Sequence, residues 1–220
     1  MTASAVCFDL DDTLYPYTDY ARSGLRNAAD ELASVTGHHR RAELFDLYFE
    51  RGVTDGTFDR LLDEHDLPAE LTGRLVEAYH DAVGPLEPYA DAEPVLRELG
   101  SAYRLGLVTD GRNGVGKLDA LGLRAHFDAV VVTPPLGTSK QQREPFDRVT
   151  SALDVDHEEV VYVGDDPRAD FAVPNELGAG TVRLCRGRYV DLAPPAETAV
   201  PDAEIDALAE LPATLETNGW

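Results

Sequence analysis

Four short runs of consecutive apolar residues punctuate the chain: "AVCFDL" (5–10), "RLGLVT" (104–109), "DAVVVT" (128–133) and "EVVYVG" (159–164), with a fifth, "GTVRLC", at 180–185. Apolar residues that do not alternate with polar ones mark strands covered on both faces, as in a parallel sheet. Between these runs the apolar spacing widens to that of helices, near 91–100, 113–122, 144–153 and 169–178. The alternation predicts an α/β core, a doubly wound, Rossmann-like parallel sheet. The stretch "PPAETAVPDAEIDALAEL" predicts an irregular segment, a short edge strand near Ile205 and a final helical turn.

Between Tyr15 and about Pro88 the alternation stops. Four helices are predicted there, over 19–36 with Leu25, Leu32 and Val35 inward, 40–51, 55–65, and 69–83 with Leu71, Leu75 and Tyr79 inward. No strand pattern interrupts them. The expected organisation is a catalytic core of residues 1–14 and 89–220 with an inserted α-helical cap domain of residues 15–88. An insertion directly after the first strand would sit over that strand's carboxyl end, and the proline-rich "GPLEPYADAEP" (84–94) would be its return hinge.

Charge changes the picture of the surroundings more than that of the fold. The chain carries 41 acidic and 19 basic residues, a net charge of −22, spread without an acidic tail. Phosphate backbones require a basic surface, so nucleic acid is excluded as a partner. No apolar run is long enough for a membrane span, and "MTASAVCFDL" lacks the basic start of a signal peptide, so the expectation is a cytoplasmic protein. Abundant Asp and Glu with almost no Lys resembles proteins of salt-rich, halophilic cytosols. Cys7 and Cys185 lie in apolar runs and predict buried free thiols rather than a disulfide, and the six scattered histidines do not suggest zinc.

The chemistry gathers where the strands stop. "FDLDDT" places Asp9, Asp11 and Asp12 after the first strand; "LVTDG" ends the second with Thr109, Asp110 and Gly111; "GDDPRAD" follows the fourth with Asp165, Asp166 and Asp170. Lys140, in "LGTSKQQREPF", precedes the helix between strands three and four. It is one of only two lysines; the other, Lys117, receives no role, and Lys140→Arg is expected to cost far more activity than Lys117→Arg. Clustered carboxylates repel one another and imply a cation, and ligands that are all oxygen point to Mg²⁺. Asp9 and Asp11 would share one side of a strand, but a turn after Leu10 lets one meet the metal and the other lean toward a leaving group. One carboxylate could then attack phosphorus, and the second, kept protonated by nearby negative charge, could act as acid and then base. Thr109, the amides after it and Lys140 suit stabilisation of a transferring phosphoryl group.

"FDLDDTLYP", "LVTDG", Lys140 and "YVGDDPRADF" together resemble the four signature motifs of the haloacid dehalogenase superfamily of phosphatases, over residues 5 to about 185. The resemblance implies that Asp9 is the nucleophile and a magnesium ligand. It implies that Asp11 is the general acid/base and gives its backbone carbonyl to the metal. Thr109, the Asp110 turn and Lys140 would bind the phosphoryl group, Asp165 would be the acidic metal ligand of the fourth motif, and Asp170 would support it. The cap matches the branch with a C1-type helical cap. Two departures stand out: Gln141 and Arg143 occupy positions where relatives of this pattern carry proline, and Pro174 falls where a helix should be forming.

The implied activity is Mg²⁺-dependent hydrolysis of a small phosphate ester through an aspartyl-phosphate; a phosphomutase uses the same residues. Dehalogenases of the superfamily lack the second aspartate, so Asp11 argues against attack at carbon. A phospho-receiver shares acids, Thr and Lys on a similar sheet but lacks a cap insertion, and a catalytically silent interaction protein has no reason to keep these groups together. Asp12 and Asp166 read as turn or capping residues, and Tyr15, Tyr17 and Tyr20 as helix-packing aromatics. Arg22, Arg26 and Arg51 read as surface cations. The acidic surface yields the first prediction. At ~1 M salt the Debye length falls to about 3 Å, screening the self-repulsion. The melting temperature should therefore rise between dilute buffer and molar KCl; an unchanged value would refute salt adaptation.

Overall fold

The computed structural model describes residues 2–81 and 84–220. Six parallel strands form one sheet in the order β3-β2-β1-β4-β5-β6: β1 is Ala5–Phe8, β2 Arg104–Thr109, β3 Ala129–Val132, β4 Val160–Gly164, β5 Gly180–Leu184 and β6 Ala203–Ile205. The short edge strand expected near Ile205 is β6. Winding runs outward from β1 through β2 to β3, then restarts at β4, so the order reverses between β1 and β4. A crevice opens at the carboxyl ends of strands at such a reversal, which is where sheets of this kind bind ligands.

The chain divides into two compact units, one of residues up to Tyr17 with Glu87–Trp220, the other Thr18–Leu86. The helices are α1 (Tyr17–Thr36), α2 (Arg41–Phe45), α3 (Thr57–Glu64), α4 (Leu71–Asp81), α5 (Ala92–Leu99), α6 (Gly114–Ala120), α7 (Glu144–Leu153), α8 (Ala172–Glu176) and α9 (Leu211–Asn218). None among the described residues is long and apolar enough to cross a membrane.

In the sheet unit, β1 is wholly buried, as a non-alternating strand must be when helices cover both faces. On one face Ala5, Cys7, Val108, Val131 and Tyr162 pack against Phe146, Val149 and Leu153 of α7. The Phe146 and Tyr162 rings meet edge to face at 5.4 Å, and Tyr162 satisfies its hydroxyl by donating to the Val108 carbonyl at 3.1 Å. Cys7 is a free buried thiol whose pKa burial pushes up to about 12. Cys185 lies just past β5 and is only half-buried, a correction to the expected burial.

In the helical unit, α1 lies so close to α4 that a side chain at Gly24 would begin 2.6 Å from the Tyr79 ring. Leu25, Leu32, Leu75 and Tyr79 are buried there, whereas Val35 and Leu71, both expected inward, are half-buried. The single helix predicted over 40–51 is instead α2 followed by a π-helical turn, Asp46–Glu50. Its widened register closes with the Arg51 amide bonding the Asp46 carbonyl at 2.9 Å. Of the helix expected over 69–83, residues 82 and 83 lie outside the described residues. In the sheet unit, the helix expected over 169–178 shrinks to α8, because residues 165–171 are spent on a turn that serves the acidic cluster. Pro174 falls in its first turn, where no backbone N–H is needed. The final helical turn lengthens into α9.

Gly106 marks where β2 meets both β1 and α7: a side chain would begin 2.6 Å from Cys7 Sγ and 2.9 Å from Val149 Cγ2. Gly106→Ala should therefore destabilise by about 1–3 kcal/mol through overpacking, despite removing a flexible residue. Urea unfolding tests this, and an unchanged midpoint would mean that the strand and helix are less tightly packed.

Candidate active site

The loop after β1 separates the two aspartates. The Asp9 amide continues the sheet by bonding the Val163 carbonyl at 2.8 Å, and the chain then turns sharply. Asp12 takes a left-handed φ of 63°, which an aspartate tolerates better than most residues. Its buried carboxylate accepts the Tyr17 amide at the start of α1 at 3.0 Å and pairs with Arg188. Asp12 is thus a turn and capping residue. Asp9 and Asp11, two positions apart where the chain enters this turn, each face a different lysine.

The first arm is acidic and buried. Lys140 Nζ donates to Asp9 Oδ1 at 2.7 Å and to Asp170 Oδ1 at 2.5 Å, with all three side chains buried. Asp170 Oδ2 accepts the Asp166 amide at 2.8 Å. The carboxylate fits only because Gly164 has no side chain: a Cβ there would begin 2.4 Å from Asp170 Oδ2. Asp9, Asp165 and Asp170 can each direct an oxygen to within 4.8 Å of the others. Among the described residues Asp165 Oδ2 is buried without a hydrogen-bond partner, and Oδ1 meets only the Thr13 hydroxyl at 3.5 Å. An orphaned carboxylate oxygen in a buried acidic cluster is costly unless a cation joins it, so the residues present suit a divalent cation.

The electrostatics follow from this crowding. Burial drives the Asp9 carboxyl up to about 7, with Asp170 and Asp11 adding to the rise and Lys140 opposing it. Burial and the charges of Asp9, Asp170 and Asp12 hold Asp165 well above the usual carboxylate range. Asp170 is also raised by burial, although Lys140 opposes it. Burial would lower Lys140, but Asp170 and Asp9 outweigh it and hold the ammonium charged.

The second arm centres on Asp11. Lys117 Nζ, on α6, donates to Asp11 Oδ1 at 2.8 Å and Oδ2 at 3.0 Å, and the Tyr15 hydroxyl donates to Oδ1 at 2.5 Å. Burial would raise this carboxyl, but Lys117, Tyr15 and Arg188 hold it below the usual value. The expectation that nearby negative charge keeps Asp11 protonated is therefore corrected: its immediate neighbour is a cation. Lys117 is 1% exposed and its ammonium lies 5.4 Å from the Tyr17 ring centre, while Arg188 stacks on the same ring at 3.7 Å. Of the three tyrosines expected to pack helices, Tyr15 bonds Asp11, Tyr17 stacks with cations, and only Tyr20 packs within the helical unit, edge to face on Tyr79 at 5.7 Å.

Lys117 is the residue that the sequence reading passed over. Its signal was present: the only two lysines of the chain are both buried here, each on one aspartate of the first motif.

Thr109, at the end of β2, is buried and accepts the Gly111 amide at 3.0 Å. The Asp110 carboxylate, expected to serve phosphate binding, is engaged elsewhere: it accepts the Thr133 hydroxyl at 2.5 Å and the Lys140 amide at 2.9 Å. Its side chain fixes the loop that carries Lys140, which accounts for how that loop is held without prolines. Gln141 makes only a long 3.5 Å contact to the Arg168 carbonyl, and Arg143 forms an exposed pair with Asp147. Asp166 accepts the Arg168 amide and guanidinium, a turn role as expected.

The family model of haloacid dehalogenase-like hydrolases matches residues 3–178. A glyceraldehyde 3-phosphate phosphatase of Methanopyrus kandleri is 36% identical over 94% of each chain. A ribulose-1,5-bisphosphate 5-phosphatase of Halopiger xanaduensis is 31% identical over 95% of this chain and 98% of its own. Among solved structures, a HAD phosphatase from Thermococcus onnurineus superposes with a TM-score of 0.67 at 26% identity, covering 98% of each chain. With the family's motifs at the strand ends and a relative similar along nearly its whole length, the chain belongs to the haloacid dehalogenase-like hydrolase family.

Proposed function

We propose that this phosphatase of the haloacid dehalogenase family hydrolyses a small phosphorylated sugar or triose through an aspartyl-phosphate on Asp9, with Mg²⁺ as its cofactor. The observation that carries the reading is the separation of Asp9 from Asp11. One sits in a buried acidic cluster with an orphaned oxygen, the other outside it on its own lysine. A nucleophile and a proton carrier need this difference of environment. The names of the relatives support the substrate class, since both curated relatives act on small sugar phosphates.

In this reading an Asp9 oxygen bonds to phosphorus, the ester P–O bond breaks, and the departing oxygen takes a proton from Asp11. An incoming phosphate monoanion can supply that proton. Asp11 then accepts a proton from water, the water oxygen bonds to phosphorus, and the Asp9–phosphorus bond breaks to release inorganic phosphate. Lys140 holds Asp9 in place and faces the charge that develops on the phosphoryl oxygens, with Thr109 and the amides after it completing the cradle. Asp9 and Asp165, with Asp170 in support and the Asp11 backbone carbonyl, would hold Mg²⁺, which supplies charge neutralisation to the cluster and to the phosphoryl group. The helical insertion of residues 15–88 is proposed as the cap that restricts substrates to small molecules. Compact, dry sites of this sort strengthen every electrostatic interaction within them.

Asp9→Asn should abolish hydrolysis of 4-nitrophenyl phosphate and of glyceraldehyde 3-phosphate while circular dichroism stays native. EDTA should remove the activity and MgCl₂ restore it. Lys140→Arg should cost about 10²–10³ in kcat, the usual loss for one transition-state donor. Turnover by Asp9→Asn, or full activity in excess EDTA, would refute the mechanism; sugar phosphates left untouched would refute the substrate class.

A further inference from the structure

The Asp11 carboxylate is gripped unevenly. Among the described residues Oδ1 carries two donors, Tyr15 and Lys117, whereas Oδ2 carries the longer Lys117 contact at 3.0 Å. Partial rotation of the carboxylate would break the bond from Tyr15 and at least one from Lys117, while a half-turn only exchanges two equivalent oxygens, so its plane is fixed and the oxygen away from Tyr15, Oδ2, has acceptor capacity to spare. Gly111 shows what surrounds that oxygen. A side chain there would begin 2.5 Å from Asp11 Oδ2, 2.9 Å from Lys117 Nζ and 3.1 Å from Thr109 Oγ1. The three groups converge on one small space that glycine leaves clear, and one of them, Thr109, belongs to the proposed phosphoryl cradle.

We propose that Lys117 is a positioning residue that holds Asp11 with Oδ2 directed to the ester oxygen of the substrate and then to the hydrolytic water. The proposal rests on the reading of Asp11 as the acid/base. Lys117 itself neither forms nor breaks a bond. Its contribution is the fixed placement of Oδ2, and misplacement by ~1 Å is enough to cost about 10²-fold in rate. A compact ammonium suits this position, because it reaches both carboxylate oxygens from beneath the Tyr17 ring, where a planar guanidinium would need a different approach.

Leaving-group dependence separates this role from a merely structural one. A 4-nitrophenolate departs without a proton, so phosphorylation of Asp9 by 4-nitrophenyl phosphate does not need Asp11; both alkyl-ester cleavage and hydrolysis of the aspartyl-phosphate do. Lys117→Met in the full-length Mg²⁺-loaded enzyme should therefore show a burst of one equivalent of 4-nitrophenolate at a near wild-type rate, followed by turnover slowed about 10²-fold. Its kcat on glyceraldehyde 3-phosphate should fall by a similar factor with little change in KM, and Lys117→Arg should recover part of the loss. If Lys117→Met does not fold, Lys117→Gln is measured in the same way and the same burst is expected. Loss of the burst along with turnover, or wild-type turnover, would overturn the proposal. Asp11→Asn serves as the reference: if it too lacks the burst pattern, the acid/base reading of Asp11 fails. If it shows the pattern and the Lys117 variants do not, only the role of Lys117 fails.

Discussion

Carboxylates buried together at one edge of a sheet repel one another, and the organisation of the sheet unit answers that repulsion. Asp9, Asp165 and Asp170 lie within reach of a common point, and Lys140 touches two of them. Burial drives Asp9 and Asp165 upward, one ammonium against three carboxylates adds to the rise, and Asp165 keeps an unsatisfied oxygen. The imbalance is tolerated because everything around it is fixed: Gly164 makes room for Asp170, Asp110 holds the Lys140 loop, and β1 lies at the centre of the sheet.

The cations are divided by task. Arginines of the segment after β5 clamp the loop after β1: Arg186 bonds the Thr13 carbonyl and both oxygens of Asp91 and stacks on Tyr89 at 3.7 Å, while Arg188 pairs with Asp12 and stacks on Tyr17. Their forked donors and flat faces suit contacts to several partners at once. These clamps grip the sheet-unit residues just before and just after the inserted helical segment. They thereby hold the turn that sets Asp9 apart from Asp11. Arg183 does similar work at the end of the sheet, donating to the carbonyls of Tyr189 and Leu192 at 2.9 and 2.8 Å.

Much of this was legible in the sequence where the signal is local. A strand buried on both faces has no alternative but a continuous apolar run, so β1 to β5 could be read directly, and acids placed just after strand ends necessarily share an edge. What escaped depends on partners distant in sequence. Lys117 lies 106 residues from Asp11, and nothing local to either residue announces their pairing. Without that partner, Asp11 reads as a carboxyl kept protonated by its acidic neighbours. Asp110 likewise reads as part of a phosphate loop until Thr133 and the Lys140 amide are found on it. The break after α2 and the brevity of α8 were hidden because helical periodicity records which face is apolar but not where the hydrogen-bond register widens or a turn intervenes.

Composition, set against its own background, carries more than a net charge. In a chain whose other 17 basic residues are arginine, each lysine is an exception that needs a local reason. Arginine serves where a charge must bond several carbonyls or stack on a ring. It serves poorly where one buried point charge must sit between carboxylate oxygens that, in the proposed reaction, also need room for a phosphoryl group. Applied to both exceptions equally, that reasoning leads from Lys140 to Asp9 and from Lys117 to Asp11. The same scarcity therefore marks the two halves of the proposed chemistry, nucleophile and proton carrier, although only one of the two lysines belongs to a recognisable motif.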